Sequence, residues 1–247
     1  MASDFLSCTC ELAQCAIARA TGRKIHVHGH IPPAIDSFSR THSLRPEYIR
    51  SYWAFIARNA DVLAGHFFGH WHSAEVRAVS STSSVVPSPS ATLLDAPALQ
   101  ALASLSPVYS NNPAFYSAQF DNVTYRLHAL TQFVLELRTL GSFPNFVASP
   151  RVIPTAGLTN RAYEALIRSW LTPAGDEAFR QFWRQHKTGV HGSAACESPW
   201  NAASRFDSCA TCTGACRISF ACVQLAGLSE DEYEQCVLRE QQQARLG

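Results

Sequence analysis

Two short apolar runs set the strongest constraint on what this chain can fold into. Lys24-Ile25-His26-Val27-His28 alternates as a β-strand does and is broken at Gly29-His30. Asp61 to Phe68 reads as a second, buried strand, and it too stops at Gly69-His70. A helix is predicted before each. The first runs from a cap at Ser3 or Asp4 to about Ala20, with Phe5, Leu6, Leu12, Ala13 and Ala16 on one face and Gly22 at its end. The second runs from Pro46 to Asn59, where Ile49, Trp53 and Ile56 recur at helical spacing. Helix, strand, helix, strand is the order of a layered α/β unit, and open α/β sheets place their ligands in the loops that leave the strands' carboxyl ends.

The rest of the chain is less regular. Ala74 to Val86 shows β-type alternation, and a Ser/Pro-rich loop follows through Thr92. Leu93 to Leu105 is expected to form a short surface helix. Strand signals return over Ala114 to Phe120 and, more weakly, between Thr124 and Leu137. Beyond Pro154 the pattern turns helical over Arg161 to Leu171 and Asp176 to His186. From Gly189 the chain reads as a cysteine-stapled helical segment with a polar Gln/Arg tail.

With 47% hydrophobic and 16% charged residues, the chain has enough apolar material for a substantial core. A net charge of +1, with no basic block, argues against binding a nucleic-acid polymer. No run is long and apolar enough for a transmembrane helix. Met1 to Gly22 lacks the basic start of a secretory signal. The nine cysteines, five of them at Cys209, Cys212, Cys216, Cys222 and Cys236, point instead to disulfides in a secreted or lumenal protein, or to a metal site. Asn122-Val123-Thr124 is an N-glycosylation acceptor. A secreted-looking body without a leader leads to the expectation that the beginning of the protein is missing.

The chemistry concentrates in Gly29-His30-Ile31-Pro32-Pro33 and Gly69-His70-Trp71-His72. A His-X-His pair on a tight turn can aim neutral ring nitrogens at metal ions, and imidazole suits zinc and related ions. Among 10 histidines such a pair also arises by chance. His26 and His28 are more simply a half-exposed strand face, and His66 an ordinary strand residue. The terminal cysteines read either as disulfides or as thiolate ligands, although their gaps do not form two clean zinc knuckles.

In order and context these motifs closely resemble the acid sphingomyelinase and sphingomyelinase-like branch of the calcineurin-like metallophosphoesterases. Ser88-Pro89-Ser90-Ala91-Thr92, Asn111-Asn112-Pro113-Ala114-Phe115, Phe182-Trp183 with His186-Lys187, and the Cys212, Cys216, Cys222 and Cys236 series extend the likeness over nearly the whole chain. The resemblance implies an α/β (α+β layered) fold. Residues 1–150 would be the second half of a four-layer metallophosphoesterase β-sandwich with flanking helices, and residues 151–247 a helical, disulfide-stapled C-terminal subdomain. It implies disulfides Cys212–Cys216 and Cys222–Cys236, and a secreted or lysosomal location. It also implies zinc or another divalent metal, two ions in an intact family member, with His30 and His70 serving one and His72 the other. The implied reaction is in-line hydrolysis of a phosphodiester lipid or nucleotide, with possible membrane-surface contact.

The family's Asp-X-His, Gly-Asp-X-X-Asp and Gly-Asn-His motifs have no counterpart here, and with them go the bridging carboxylate and the histidine assigned as general acid. No catalytic residue is therefore assigned. The expectation is a partial phosphodiesterase, truncated at its N-terminus and inactive alone, with apolar sheet edges exposed at Ile25 and Leu63. The alternatives are a catalytically dead paralogue acting as an interaction module and one chain of a split enzyme.

Overall fold

The structure is a computed structural model that describes residues 9–86, 89–107, 111–137, 146–150, 157–186, 188, 194–196 and 209–246. Helix α1 (Thr9–Thr21) leads into strand β1 (Ile25–His28), and helix α2 (Pro46–Arg58) into β2 (Leu63–Phe68), as the two apolar runs predict. Pro46 supplies a first turn that needs no amide donor, and Ile49, Trp53 and Ile56 bury the predicted face. The first sheet has the order β1-β2-β4-β3. In it β1, β2 and β4 (Leu99–Ala101) run parallel, while β3 (Glu75–Arg77) runs antiparallel to β4.

Three sequence expectations are corrected here. Leu93 to Leu105 is not a surface helix. One turn, α3 (Ala91–Leu94), precedes Pro97, and the chain then enters the sheet as β4. Leu93, Leu99 and Ala101 are fully buried, because pairing with β2 and β3 outweighs a weak helical pattern. Within Ala74 to Val86 only Glu75–Arg77 is a strand. The following loop is held by side chains: Val79 N–H donates to Asn160 Oδ1 at 2.9 Å, and Glu164 and Glu232 accept from Ser81 and from Ser84 and Val85. Finally, β2 lies between β1 and β4 and Leu63 is buried, so of these two strands only β1 stands at an edge of the sheet among the described residues.

A second, antiparallel sheet joins β5 (Ala114–Phe120), β6 (Leu127–Leu135) and β7 (Phe146–Pro150). The helices α4 (Asn160–Ser169), α5 (Asp176–His186), α6 (Gly214–Ala226) and α7 (Glu230–Leu246) follow, with a short parallel pair of strands β8 (Ala194–Cys196) and β9 (Cys209–Cys212). Disulfides join Cys212 to Cys216 and Cys222 to Cys236, with Cα separations of 5.4 and 5.7 Å. The thiolate-ligand reading of those four cysteines is thereby set aside. The pairing of Cys8, Cys10, Cys196 and Cys209 lies outside the described side chains.

The helices share one core with the sheet: Trp170, Phe179, Phe182, Trp183 and Phe220 pack with Phe67, Val76 and Ala98. At its centre sits a buried polar network. Glu75 and Arg77 form an ion pair at 2.8 Å with both side chains fully buried. Glu75 accepts from Ser37 and Ser73 at 2.5 and 2.8 Å, and Arg77 donates to the Ile35 carbonyl at 2.9 Å. From α6, Gln224 accepts the Val76 amide and donates to Glu75. Burial alone would raise the Glu75 carboxyl; the Arg77 guanidinium, His186 and the two hydroxyls outweigh it and bring the group down to about 2. This network ties β3, the Pro32–Ser37 segment and the terminal helices into one unit.

Candidate functional site

The parallel register of β1, β2 and β4 brings their carboxyl ends side by side. Backbone bonds continue past the strands: Gly29 N–H donates to Phe67 O at 3.0 Å, Gly69 N–H to His30 O at 3.0 Å, and Leu102 N–H to Phe68 O at 2.8 Å. The three loops enclose a recess of about 350 Å³ lined by His28, His30, His70, His72 and residues 102–104, with Phe67 and Phe68 beneath. Gly29 is required for this approach, since a Cβ there would lie 2.4 Å from the Phe68 ring.

His30 and His70 sit edge to face with ring centroids 5.1 Å apart. His70 and His72 both adopt left-handed backbone, with φ of 68° and 57°. Two non-glycine residues in that region within three positions mark a turn whose side chains matter more than its backbone comfort. Surrounding bonds hold the turn in place. Trp71 N–H donates to Gly69 O, the Trp71 indole donates to Ser43 Oγ at 3.0 Å, and Asn111 Nδ2 donates to His72 O at 2.8 Å. Asn111, read from sequence only as part of a motif, thus buttresses the His-X-His turn.

The structure therefore brings His30, His70 and His72 to one recess. His28 joins them, its ring stacked on Phe67 at 5.3 Å. Leu102 to Ser104 line the same recess and were hidden in sequence by the helical reading of Leu93 to Leu105. His66 lies behind the site as a fully buried strand residue, between Tyr52 Oη at 2.8 Å and the Pro97 carbonyl at 2.9 Å. A carbonyl only accepts, so Nε2 carries the proton and Nδ1 accepts from Tyr52. Burial pushes this imidazole down to about 4. Pro87 and Ser88 lie outside the described residues; Ser90 caps α3, and its loop does not line the recess. Asn122 is exposed in the β5–β6 turn, where Asp121 accepts from Thr124.

The fit to a metal is incomplete. The donors in the recess are imidazoles, and no lining residue supplies a carboxylate to offset divalent charge. Among the described residues no group of three or more His, Cys, Asp or Glu side chains is placed to hold an ion.

Fold and recess together define an α/β unit whose imidazole-bearing loops gather at the carboxyl ends of parallel strands. Its sequence is similar to those of several phosphodiesterases. The chain is 27% identical to human sphingomyelin phosphodiesterase over 220 residues, 86% of this chain and 30% of that protein. It is 28% identical over 115 residues to the sphingomyelinase phosphodiesterase D of Dictyostelium discoideum, covering 45% of this chain and 25% of that one. The human cyclic GMP-AMP phosphodiesterase SMPDL3A is 28% identical over 115 residues, 46% of this chain and 25% of its own length. The similarity to the sphingomyelinase branch read from the Gly-His motifs is thus shown. The chain spans 30% or less of the length of these relatives. No protein-family profile matches it.

Proposed function

We propose that this chain carries the imidazole part of a sphingomyelinase-type phosphodiesterase site, with His30, His70 and His72 as its contribution to a site for zinc or another divalent metal. The observation that supports this reading is the convergence of the loops after β1 and β2, two of whose histidines hold left-handed backbone. The two sheets would then be half of a four-layer sandwich, and the substrate a phosphodiester lipid or nucleotide, as in the names of the relatives. Paired cysteines and the exposed Asn122 fit a secreted or lysosomal setting in which that asparagine is glycosylated. No helix among the described residues is long and apolar enough to cross a membrane.

Carboxylate ligands must come from residues bearing the Asp-X-His, Gly-Asp-X-X-Asp and Gly-Asn-His motifs, which these 247 residues do not contain. Purified chain is accordingly expected to leave bis(4-nitrophenyl) phosphate intact with added zinc. Addition of a polypeptide that carries those motifs should restore turnover, and His72→Ala should remove it again. Turnover by the chain alone that His72→Ala abolishes would show that its own residues complete a site. No restoration by the added polypeptide would favour an interaction module.

A further inference from the structure

The two edges of the first sheet are finished differently. At the β3 edge α6 lies alongside: Gln224 Oε1 accepts the Val76 amide at 2.8 Å, the Gln224 carbonyl accepts the Ala78 amide at 3.1 Å, and Glu75, Val76 and Arg77 are all buried. The β1 edge has no such cover among the described residues, and His28 is exposed. Ile25 N–H donates to Val62 O at 2.8 Å, Gly29 N–H donates to Phe67 O at 3.0 Å, and Val27 lies in register with His66. Successive residues of a strand turn their peptide groups to opposite sides. Ile25, Val27 and Gly29 thus face β2, while the amides and carbonyls of His26 and His28 face outward, with no hydrogen bond among the described residues.

The surface beside these outward groups is apolar. His26 lies edge to face with Phe120 at 4.6 Å between ring centroids. Phe120 ends β5, which is itself an edge of the second sheet and is exposed from Ser117 onward; Phe120 is 43% exposed. The open edges of both sheets therefore meet at the His26–Phe120 contact. Unpaired peptide groups next to an exposed aromatic ring are what an added strand covers: the main chain supplies the bonds and the ring receives a side chain.

We infer that the open edge of β1 takes up a strand from a polypeptide outside these 247 residues, running parallel to β1, and that the loop leaving this strand bears the carboxylates the recess lacks. The inference rests on the metal-site reading proposed above. The direction follows from placement. Neighbouring strands lie about 4.8 Å apart, so a parallel strand ends beside Gly29-His30 and its outgoing loop opens onto the recess at His28 and His30. An antiparallel strand would send that loop to the opposite end, at Lys24. A second copy of this chain brings none of the carboxylate motifs. The match to human sphingomyelin phosphodiesterase covers 30% of that protein, so most of that relative's length is available to supply such a strand.

The test co-expresses the full chain with the part of human sphingomyelin phosphodiesterase outside the matched residues, and reads amide hydrogen exchange with and without that partner. In the chain alone, His26 and His28 should exchange at least about ten-fold faster than Val27; with the partner they should slow by at least about a hundred-fold. His26→Pro removes one outward amide and keeps the bonds to β2, a position where an edge strand tolerates proline. It should lower the amount of co-purified partner by at least about ten-fold, as should Phe120→Lys, with the exposed control Arg58→Glu unchanged. Circular dichroism checks that each variant keeps its fold. Zinc retention reads the direction of the strand: about two ions in the complex, against at most about one in the chain alone, is the parallel result. Unchanged exchange at His26 and His28, or undiminished co-purification with both His26→Pro and Phe120→Lys, would overturn the inference and leave zinc uptake by the chain's own imidazoles untouched. Slowed exchange without added zinc would keep the strand but overturn the delivery of carboxylates. Dimers of the chain alone that His26→Pro dissolves would assign the edge to a second copy and overturn the inference as well.

Discussion

His66 makes the stability of this fold fall as the solution turns acidic. Its ring is fully buried with both nitrogens engaged in the neutral form, and its folded value of about 4 lies below the ordinary 6.5. Between those values the unfolded chain binds a proton that the folded chain refuses. His66 therefore costs no stability above pH 6.5, and a growing penalty appears as pH falls toward 4. At 1.36 kcal/mol per unit, the loss from pH 7.5 to pH 5 is about 2 kcal/mol and approaches about 3 kcal/mol at pH 4. Glu75 acts in a different window. Its folded value of about 2 lies below the ordinary 4.5, so its stabilisation is complete above pH 4.5 and lost only as pH drops through 4.5 toward 2. Urea unfolding of the wild type and of His66→Gln at pH 7.5 and 5 separates the two. Whatever the variant costs at pH 7.5, its loss on going to pH 5 should be smaller than that of the wild type by about 2 kcal/mol. Equal losses, or a His66 imidazole that titrates near 6.5 by NMR, would refute the reasoning.

Other perturbations address the packing and the turn. Glu75→Gln strands Arg77 in the core and should destabilise by about 3–5 kcal/mol in chemical denaturation at neutral pH. Asn160→Ala leaves the Val79 amide without its acceptor and should cost about 1–3 kcal/mol in the same assay. Removing the Cys222–Cys236 bridge by paired serine substitution should cost about 2–4 kcal/mol, read as a lower unfolding midpoint. His70→Gly should match or exceed the wild type in thermal stability, by up to about 1 kcal/mol, because glycine accepts φ of 68° without strain.

How far the sequence reveals this fold depends on which residues carry local information. Ile49, Trp53 and Ile56 announce α2 because their spacing has one structural meaning, and the helices α4 and α5 are legible for the same reason. Strand β4 is not legible. Leu99-Gln100-Ala101 is three residues long, and its identity comes from pairing with β2 and β3, which are distant in sequence. That error also hid Leu102 to Ser104 at the recess. The Glu75–Arg77–Gln224 network was equally invisible, since nothing in two charged residues separated by a valine signals that both are fully buried. His30, His70 and His72 were found because a glycine and an imidazole after each apolar run form a local pattern. Asn111, whose role is to hold the His72 carbonyl, had no such signal beyond its motif.

The proposed metal site has imidazoles on the loops after β1 and β2 and no carboxylate among the residues that line the recess. Equilibrium dialysis against zinc, followed by metal analysis, tests it most directly in the wild type and in a combined His30→Ala, His70→Ala, His72→Ala variant. Weak uptake by the wild type, no more than about one ion per chain, is expected, and the variant should lose it. Two tightly retained ions per chain, or equal uptake by the variant, would contradict it.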